Sequence, residues 1–207
     1  MYLLCLDFET FFDTKGGYTL KKMTTEAYVR DPRFEVHGAA VRLPGVKAPC
    51  WREENALREL FSRLPWSEIA LICHHAHFDG LILAHHFGIV PKLYIDTLSM
   101  ARALIGNVVP KDLGSLADLF GLPSKSVPYS LFDGRHWHEI EPPSRSQIAN
   151  GAVHDVELTW SIFERLAAKF PTSEYAIVDA TVRMFTQPVL TGNLDKLATV
   201  EAKEADG

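Results

Sequence analysis

Residues 2–12 read YLLCLDFETFF. From Tyr2 to Leu6 the run is apolar at odd and even positions alike, so both faces of a strand built from it are hydrophobic. Such a strand belongs at the centre of a sheet covered on both sides. That requirement points to a layered architecture with helices packed above and below. Two carboxylates then follow two positions apart, Asp7 and Glu9. At that spacing they share one face of the strand. Burying an unpaired charge there is costly, on the order of several kcal/mol or more. Two readings stand at this point. Either the strand has ended and both acids are solvated, or a divalent cation sits between them, because hard cations prefer carboxylate oxygens.

The rest of the chain alternates strand and helix patterns. FEVHGAAVRL (34–43) reads as a second strand, and a short one near Ala48–Trp51 follows it. ENALRELFSRL (54–64) has helical spacing through Ala56, Leu57, Leu60, Phe61 and Leu64. IALICHH (69–75) is a second buried strand, and FDGLILAHHFG (78–88) a helix stopped by Gly88. KLYIDT forms a short strand or an extended link into the helical TLSMARAL, and DLGSLADLFG is a further short helix. Residues 121–143 form a loop rich in proline, glycine and serine. A long helix runs from about Ser144 to Lys169, introduced by Pro142 and Pro143. The first strands have no helix between them, so a hairpin opens a mixed sheet. After Pro171 the pattern changes to one more helix, SEYAIVDATVRMFTQPVL, and a polar tail that reads as a frayed end or a cut linker. The expected division is 1–170 for the main unit and 171–207 for the C-terminal helix and tail.

Composition narrows the function. A hydrophobic fraction of 47% in 207 residues supports one sizeable core. No apolar span is long enough to cross a membrane, and no basic segment precedes the first strand as a signal peptide requires. Cys5, Cys50 and Cys73 are an odd set, two of them in apolar strand-like runs, which suits reduced core thiols in a cytoplasmic protein. A net charge of -5 argues against coating long nucleic acid through bulk electrostatics. It leaves room for a small nucleic-acid site whose positive charge comes from metal ions.

Two more acids stand in improbable places. Asp79 lies just beyond a buried strand, at the start of an apolar helix, where a helix cap is the alternative explanation. Asp155 falls inside a helical stripe formed by Ile148, Ala152, Thr159, Ile162 and Leu166, unless it is a solvated residue at the stripe's edge. Glu157 points away from that stripe and reads as a surface acid. Convergence of Asp7, Glu9, Asp79 and Asp155 would make an oxygen-rich site for two cations about 4 Å apart. Such a site clamps the attacking and leaving oxygens of a phosphodiester during in-line displacement.

Three segments resemble the three motifs of DEDD-type 3′–5′ exonucleases, in order: LDFET with Asp7 and Glu9, HAHFD with Asp79, and HDVELT with Asp155. EAYVRDPRFEVHGAAV, DTLSMARAL, SLADLFGL and VDATVRMFTQPVL narrow the resemblance to the proofreading domain of bacteriophage family A DNA polymerases. The resemblance implies an α/β, ribonuclease H-like fold: a mixed five-stranded sheet flanked by helices. It implies excision from a single-stranded DNA 3′ end with two divalent cations, Mg2+ or Mn2+, in replication proofreading. Asp7 would bridge both cations, Glu9 and Asp155 would hold the one that activates water, and Asp79 would support the other. The implied partner is a polymerase subunit or a polymerase half beyond this chain, and the implied location is the cytoplasm of a host bacterium.

The chain departs from the family at one point. The family's tyrosine, four residues before the last aspartate, is Gly151 here, and the alternative histidine five before it is Asn150. His154 is one candidate substitute, although it lies about 100° around the helix from Asp155. Tyr129, His136 or His138 from the 121–143 loop are others, and hydrolysis without a helper is a third option. Asparagine four residues before the motif II aspartate is replaced by His75, which with His74 and His77 forms a histidine cluster: cleft-lining residues or a zinc site. Thr10, Phe11, Phe12, His75 and Phe78 are candidate substrate contacts, with core packing as the alternative for the phenylalanines. Lys111 and Lys125 either touch phosphates or face solvent. An RNA exonuclease of the same superfamily and a catalytically weak 3′-end-binding module remain alternative functions.

Overall fold

A computed structural model of the chain describes residues 1–106, 108–127 and 129–205. Five strands form one sheet: β1 (Tyr2–Thr10), β2 (Val36–Arg42), β3 (Cys50–Glu53), β4 (Ile69–Cys73) and β5 (Leu93–Asp96), in the order β3-β2-β1-β4-β5. β1 is central. It runs antiparallel to β2 and parallel to β4, and β5 continues parallel beyond β4. The sheet is therefore mixed and five-stranded, as the α/β, ribonuclease H-like expectation has it.

The helices are α1 (Thr25–Arg30), α2 (Glu54–Ser62), α3 (Ala76–Phe87), α4 (Thr97–Ile105), α5 (Leu113–Leu119), α6 (Pro142–Ala167), α7 (Glu174–Thr186) and α8 (Leu194–Ala205). Strand alternation divides β1 between two cores. Leu4, Leu6 and Phe8 pack with Leu57 and Phe61 of α2 and Leu81–Leu83 of α3. Cys5 on the opposite face packs with Ala101 of α4, Leu116 of α5, and Val156 and Ile162 of α6. Both faces are covered, as the all-apolar run demands.

Three local features differ from the sequence expectation. β1 continues through Thr10, so Asp7 and Glu9 lie within the strand and not beyond it. α1 is a six-residue helix with no periodic signal long enough to read, capped by Thr24 Oγ1 accepting from Ala27 N at 3.2 Å. The polar tail, expected as a frayed end, forms α8, whose side chains are exposed wherever described. Its last two residues, 206–207, lie outside the described residues. α7 packs against β5 and α3: Asp179 Oδ1 accepts from Tyr94 N at 2.7 Å, and Val178 and Val182 are buried.

Candidate active site

β1 carries Asp7 and Glu9 on one face, towards α6. Pairing with β2 sets Asp7 opposite Ala40 and Glu9 opposite Gly38, with a bulge just after Glu9. Small partners leave room beside both acids. A Cβ on Gly38 would lie 2.3 Å from the Trp51 ring, so a side chain there would displace that tryptophan. Asp155 stands halfway along α6 with Val156 and Ala152, and the whole stripe from Ile148 to Leu166 is buried. A solvated acid at the edge of that stripe is thus ruled out: Asp155 is 0% exposed.

One carboxylate oxygen from each of Asp7, Glu9 and Asp155 lies within 4.8 Å of the others. Among the described residues this is the one group of three or more metal-binding side chains so placed. Asp155 Oδ2 is met by the Lys125 ammonium 2.6 Å away, a charge-assisted contact, and Oδ1 has no hydrogen-bond partner among the described residues. A buried carboxylate with one oxygen left unpaired is costly. The set is all oxygen, close and negatively charged, and it fits a hard divalent cation.

Asp79 stands apart from the other three. It is buried at the first turn of α3, and its Oδ1 accepts from Phe8 N at 3.0 Å. It lines the same cleft, so it adds charge to the site while tied to the β1 backbone.

The electrostatics follow from burial and crowding. Asp7 is pushed up to about 7 by burial and by the charge of Asp155, with Lys125 opposing. Glu9 and Asp79 are held well above the carboxylate range by burial first and the charge of Asp7 second. Asp155 is also raised by burial, against the pull of Lys125. Burial works to lower the Lys125 ammonium, but the neighbouring Tyr129, Asp155 and Asp7 outweigh it and hold it protonated. Burial and the charge of Glu9 push the Tyr129 phenol up, keeping it neutral.

Asp7, Glu9 and Asp79 open into a cleft of about 450 Å³. Its walls include Thr10, Phe12, His74, His75, Phe78, Lys125 and Tyr129. Four of the expected substrate contacts, Thr10, Phe12, His75 and Phe78, therefore reach it. Thr10 does so with its hydroxyl already bonded to Tyr28 Oη at 2.8 Å. Phe11 does not reach it. It is buried, stacked on His136 at a centroid distance of 4.3 Å, and serves as core. His154 is not on the cleft wall either: its Nε2 donates to the Ser124 carbonyl at 3.1 Å. The histidines do not gather around one point. His74 Nδ1 pairs with Thr97 Oγ1 at 2.9 Å, and the His75 and His77 rings sit 5.8 Å apart.

The asparagine-like position explains itself locally. His75 has φ 70° and ψ 57°, the left-handed region that asparagine and histidine tolerate better than most residues. Asp96 secures that turn. Its Oδ1 accepts from His75 N at 2.8 Å and Ala76 N at 3.1 Å, and its carboxylate also caps α4 through Leu98 N and Ser99 N. Asp96 thus fixes the start of α3 and, through it, Asp79. Sequence reasoning missed this residue; its signal was an aspartate directly before a helix, in DTLSMARAL.

A family model described as 3'-5' exonuclease, of the DNA polymerase A type, matches residues 49–171. No curated protein sequence matches the chain. Among solved structures, Trypanosoma brucei RNase D complexed with RNA U12 superposes with a TM-score of 0.64 at 17% identity, over 92% of this chain and 66% of that one. Brucella melitensis NrnC with bound Mg2+ gives 0.57 at 16% identity, over 90% and 82%. Escherichia coli RNase D, an exoribonuclease involved in structured RNA processing, gives 0.59 at 15% identity, over 92% and 46%. At such identities the likeness is one of fold, and the chain spans less than half of the last protein.

Proposed function

Because this chain belongs to the 3′-5′ exonuclease family, we propose that it removes nucleotides stepwise from the 3′ end of single-stranded RNA. The observation that carries the proposal is the meeting of Asp7, Glu9 and Asp155 within 4.8 Å, with Asp155 buried and its Oδ1 unpartnered among the described residues. RNA is favoured because the structural neighbours include RNases D, one of them complexed with RNA.

In this proposal Asp7, Glu9 and Asp155 would hold the divalent cations, Mg2+ or Mn2+, and Asp79 would support them from the same cleft. Cations held there supply Lewis acidity for the attacking water and for the departing 3′ oxygen. The chain's own residues hold the substrate. Phe12, Phe78 and Tyr129 offer ring faces to the terminal bases, and stacking of this kind is worth about 1–3 kcal/mol per base. Lys125 supplies a cation beside the acids for a phosphate oxygen.

A second reading keeps the chemistry and changes the substrate. The matching family model is of the DNA polymerase A type, which favours proofreading of a DNA 3′ end beside a polymerase partner, of phage type if the narrower sequence resemblance holds.

Matched 5′-labelled RNA and DNA oligomers, incubated with Mg2+, Mn2+ or EDTA, separate the two. Faster 3′ laddering on RNA supports the first reading, and faster laddering on DNA the second. No laddering on either by a folded protein with both cations, or laddering that survives Asp7→Ala, would remove the exonuclease proposal.

A further inference from the structure

Gly151 lies one turn before Asp155 on α6 and faces the same way. A Cβ at this position would sit 3.0 Å from both Cα and Cγ2 of Val127. Val127, in the segment joining α5 to α6, thus occupies the space where a side chain at 151 would project. The far half of that segment is anchored. Glu35 accepts from the His136 ring and from Trp137 N, the latter at 2.8 Å. Gly134 N donates to the Phe12 carbonyl at 2.7 Å, and Phe132 is buried with Ile140 and Ile148.

Seated this way, the segment delivers two polar side chains to the acids. Lys125 Nζ lies 2.6 Å from Asp155 Oδ2 and 5.3 Å from the centroid of the Tyr129 ring. Tyr129 lines the cleft beside Asp7 and Glu9. Several other hydrogen-bonding groups there are committed to the fold. The Thr10 and Tyr28 hydroxyls bond each other at 2.8 Å, and His74 Nδ1 pairs with Thr97. The Tyr129 ring packs with Phe12 and Phe132, at centroid distances of 6.4 and 5.7 Å, and the Lys125 ammonium lies over it, 5.3 Å from its centroid.

We propose that the Tyr129 hydroxyl, brought across Gly151 by this loop, hydrogen-bonds and orients the attacking water, while Lys125 beside it holds the scissile phosphate. The inference rests on the exonuclease function proposed above. One water is consumed. Its oxygen bonds to phosphorus and releases one proton to solvent, the P–O3′ bond breaks with its electron pair on oxygen, and that oxygen takes up a proton from solvent. The phenol is unchanged at the end. Orientation of this kind acts on the chemical step and not on binding.

The test compares wild type, Tyr129→Phe and Lys125→Gln on a 5′-labelled oligomer with Mn2+. Three further readouts accompany it: oligomer affinity by anisotropy in EDTA, Mn2+ affinity by calorimetry, and Tm. Tyr129→Phe keeps the ring and its packing. It is expected to lower kcat roughly 100-fold, the scale of a lost proton-handling or orienting group. KM, both affinities and Tm should stay within twofold or within error. Lys125→Gln is expected to raise KM and weaken oligomer binding several-fold, and to tighten Mn2+ binding because a competing cation is gone. An active wild type with an equally active Tyr129→Phe overturns this inference alone. So does a kcat loss matched by lost Mn2+ binding or a lowered Tm, which marks a packing role. An inert wild type overturns the exonuclease function and this inference with it.

Discussion

The Lys125 ammonium lies 2.6 Å from Asp155 Oδ2 and ties the 120–141 loop to the middle of α6. Asp155 is fully buried, while the lysine side chain is 31% exposed. The pair falls between exposed pairs, worth about 0–1 kcal/mol, and buried ones, whose breakage costs about 3–5 kcal/mol. Lys125→Met should therefore lower the Tm of metal-free protein at pH 8 by several degrees, since about 1 kcal/mol corresponds to roughly 2–4 °C in a chain of this size. Added Mn2+ should shrink the deficit by taking over the neutralisation of Asp155. Thermal melts with and without EDTA check this, and an unchanged metal-free Tm would refute the counter-ion role.

Asp7 makes stability depend on pH in a defined direction. Its carboxyl is raised from 3.8 to about 7 in the folded chain. Between those values the native state keeps a proton that the unfolded chain has released. Stability from Asp7 is thus full below the unfolded pKa and declines as pH rises towards 7. His37 and His74, each lowered to about 4 by burial, act in the opposite sense, losing stability as pH falls from 6.5. Both histidines persist in Asp7→Asn, so they cancel in the comparison. In EDTA, the Tm of Asp7→Asn minus that of wild type should grow between pH 4 and pH 7 and then level off. A difference that stays flat across this range would contradict the assignment.

Two buried aspartates should respond to different degrees to losing their charge. Asp96 is 1% exposed and accepts from His75 N, Ala76 N, Leu98 N, Ser99 N and Ser99 Oγ. Asp155 has one charged contact, from Lys125 to Oδ2, and Oδ1 has no partner among the described residues. Asp96→Ala leaves buried donors unsatisfied, at about 1–3 kcal/mol for each. It should lower Tm by about 5 °C or more, with or without cation. Asp155→Asn relieves a buried charge but gives up the Lys125 pair, so it should lower the metal-free Tm by less than Asp96→Ala does and abolish stabilisation by Mn2+. The same pair of melts, giving the reverse pattern, would exchange the structural and metal-binding roles.

Gly151→Ala sets helix propensity against crowding. Alanine is favoured over glycine inside a helix by about 0.8–1.0 kcal/mol. Its Cβ, however, would meet the Val127 backbone at 3.0 Å. Val127 lies in an irregular segment that can yield by a few tenths of an ångström. Tm should change by less than about 3 °C while kcat falls about tenfold, because the shift moves Lys125 and Tyr129 away from Asp155. A variant with unaltered kcat would show that the loop's seat on α6 does not matter for turnover.

Much of the fold was legible because burial leaves a periodic mark on the sequence. The apolar runs of β1 and β4, unbroken on both faces, specified covered central strands. The stripe from Ile148 to Leu166 specified the inward face of α6 and placed Asp155 on it. What escaped was short or aperiodic. α1 has too few residues for a period, and Asp96 looks like any cap until the turn at His75 folds back onto it.

The sequence by itself determined which side chains face inward, since alternation and helical period are properties of a single segment. Only the tertiary structure decided which of them meet. Asp7 and Asp155 are separated by 148 positions, and no local pattern records their approach. It also separated Asp79, tied to Phe8 N, from the three acids that converge, and set Phe11 in the core while Phe12 lines the cleft. The path of residues 120–141 belongs to the same class. An irregular loop takes its course from distant anchors such as Glu35 and from the space left open at Gly151, and those constraints exist only once the chain has folded.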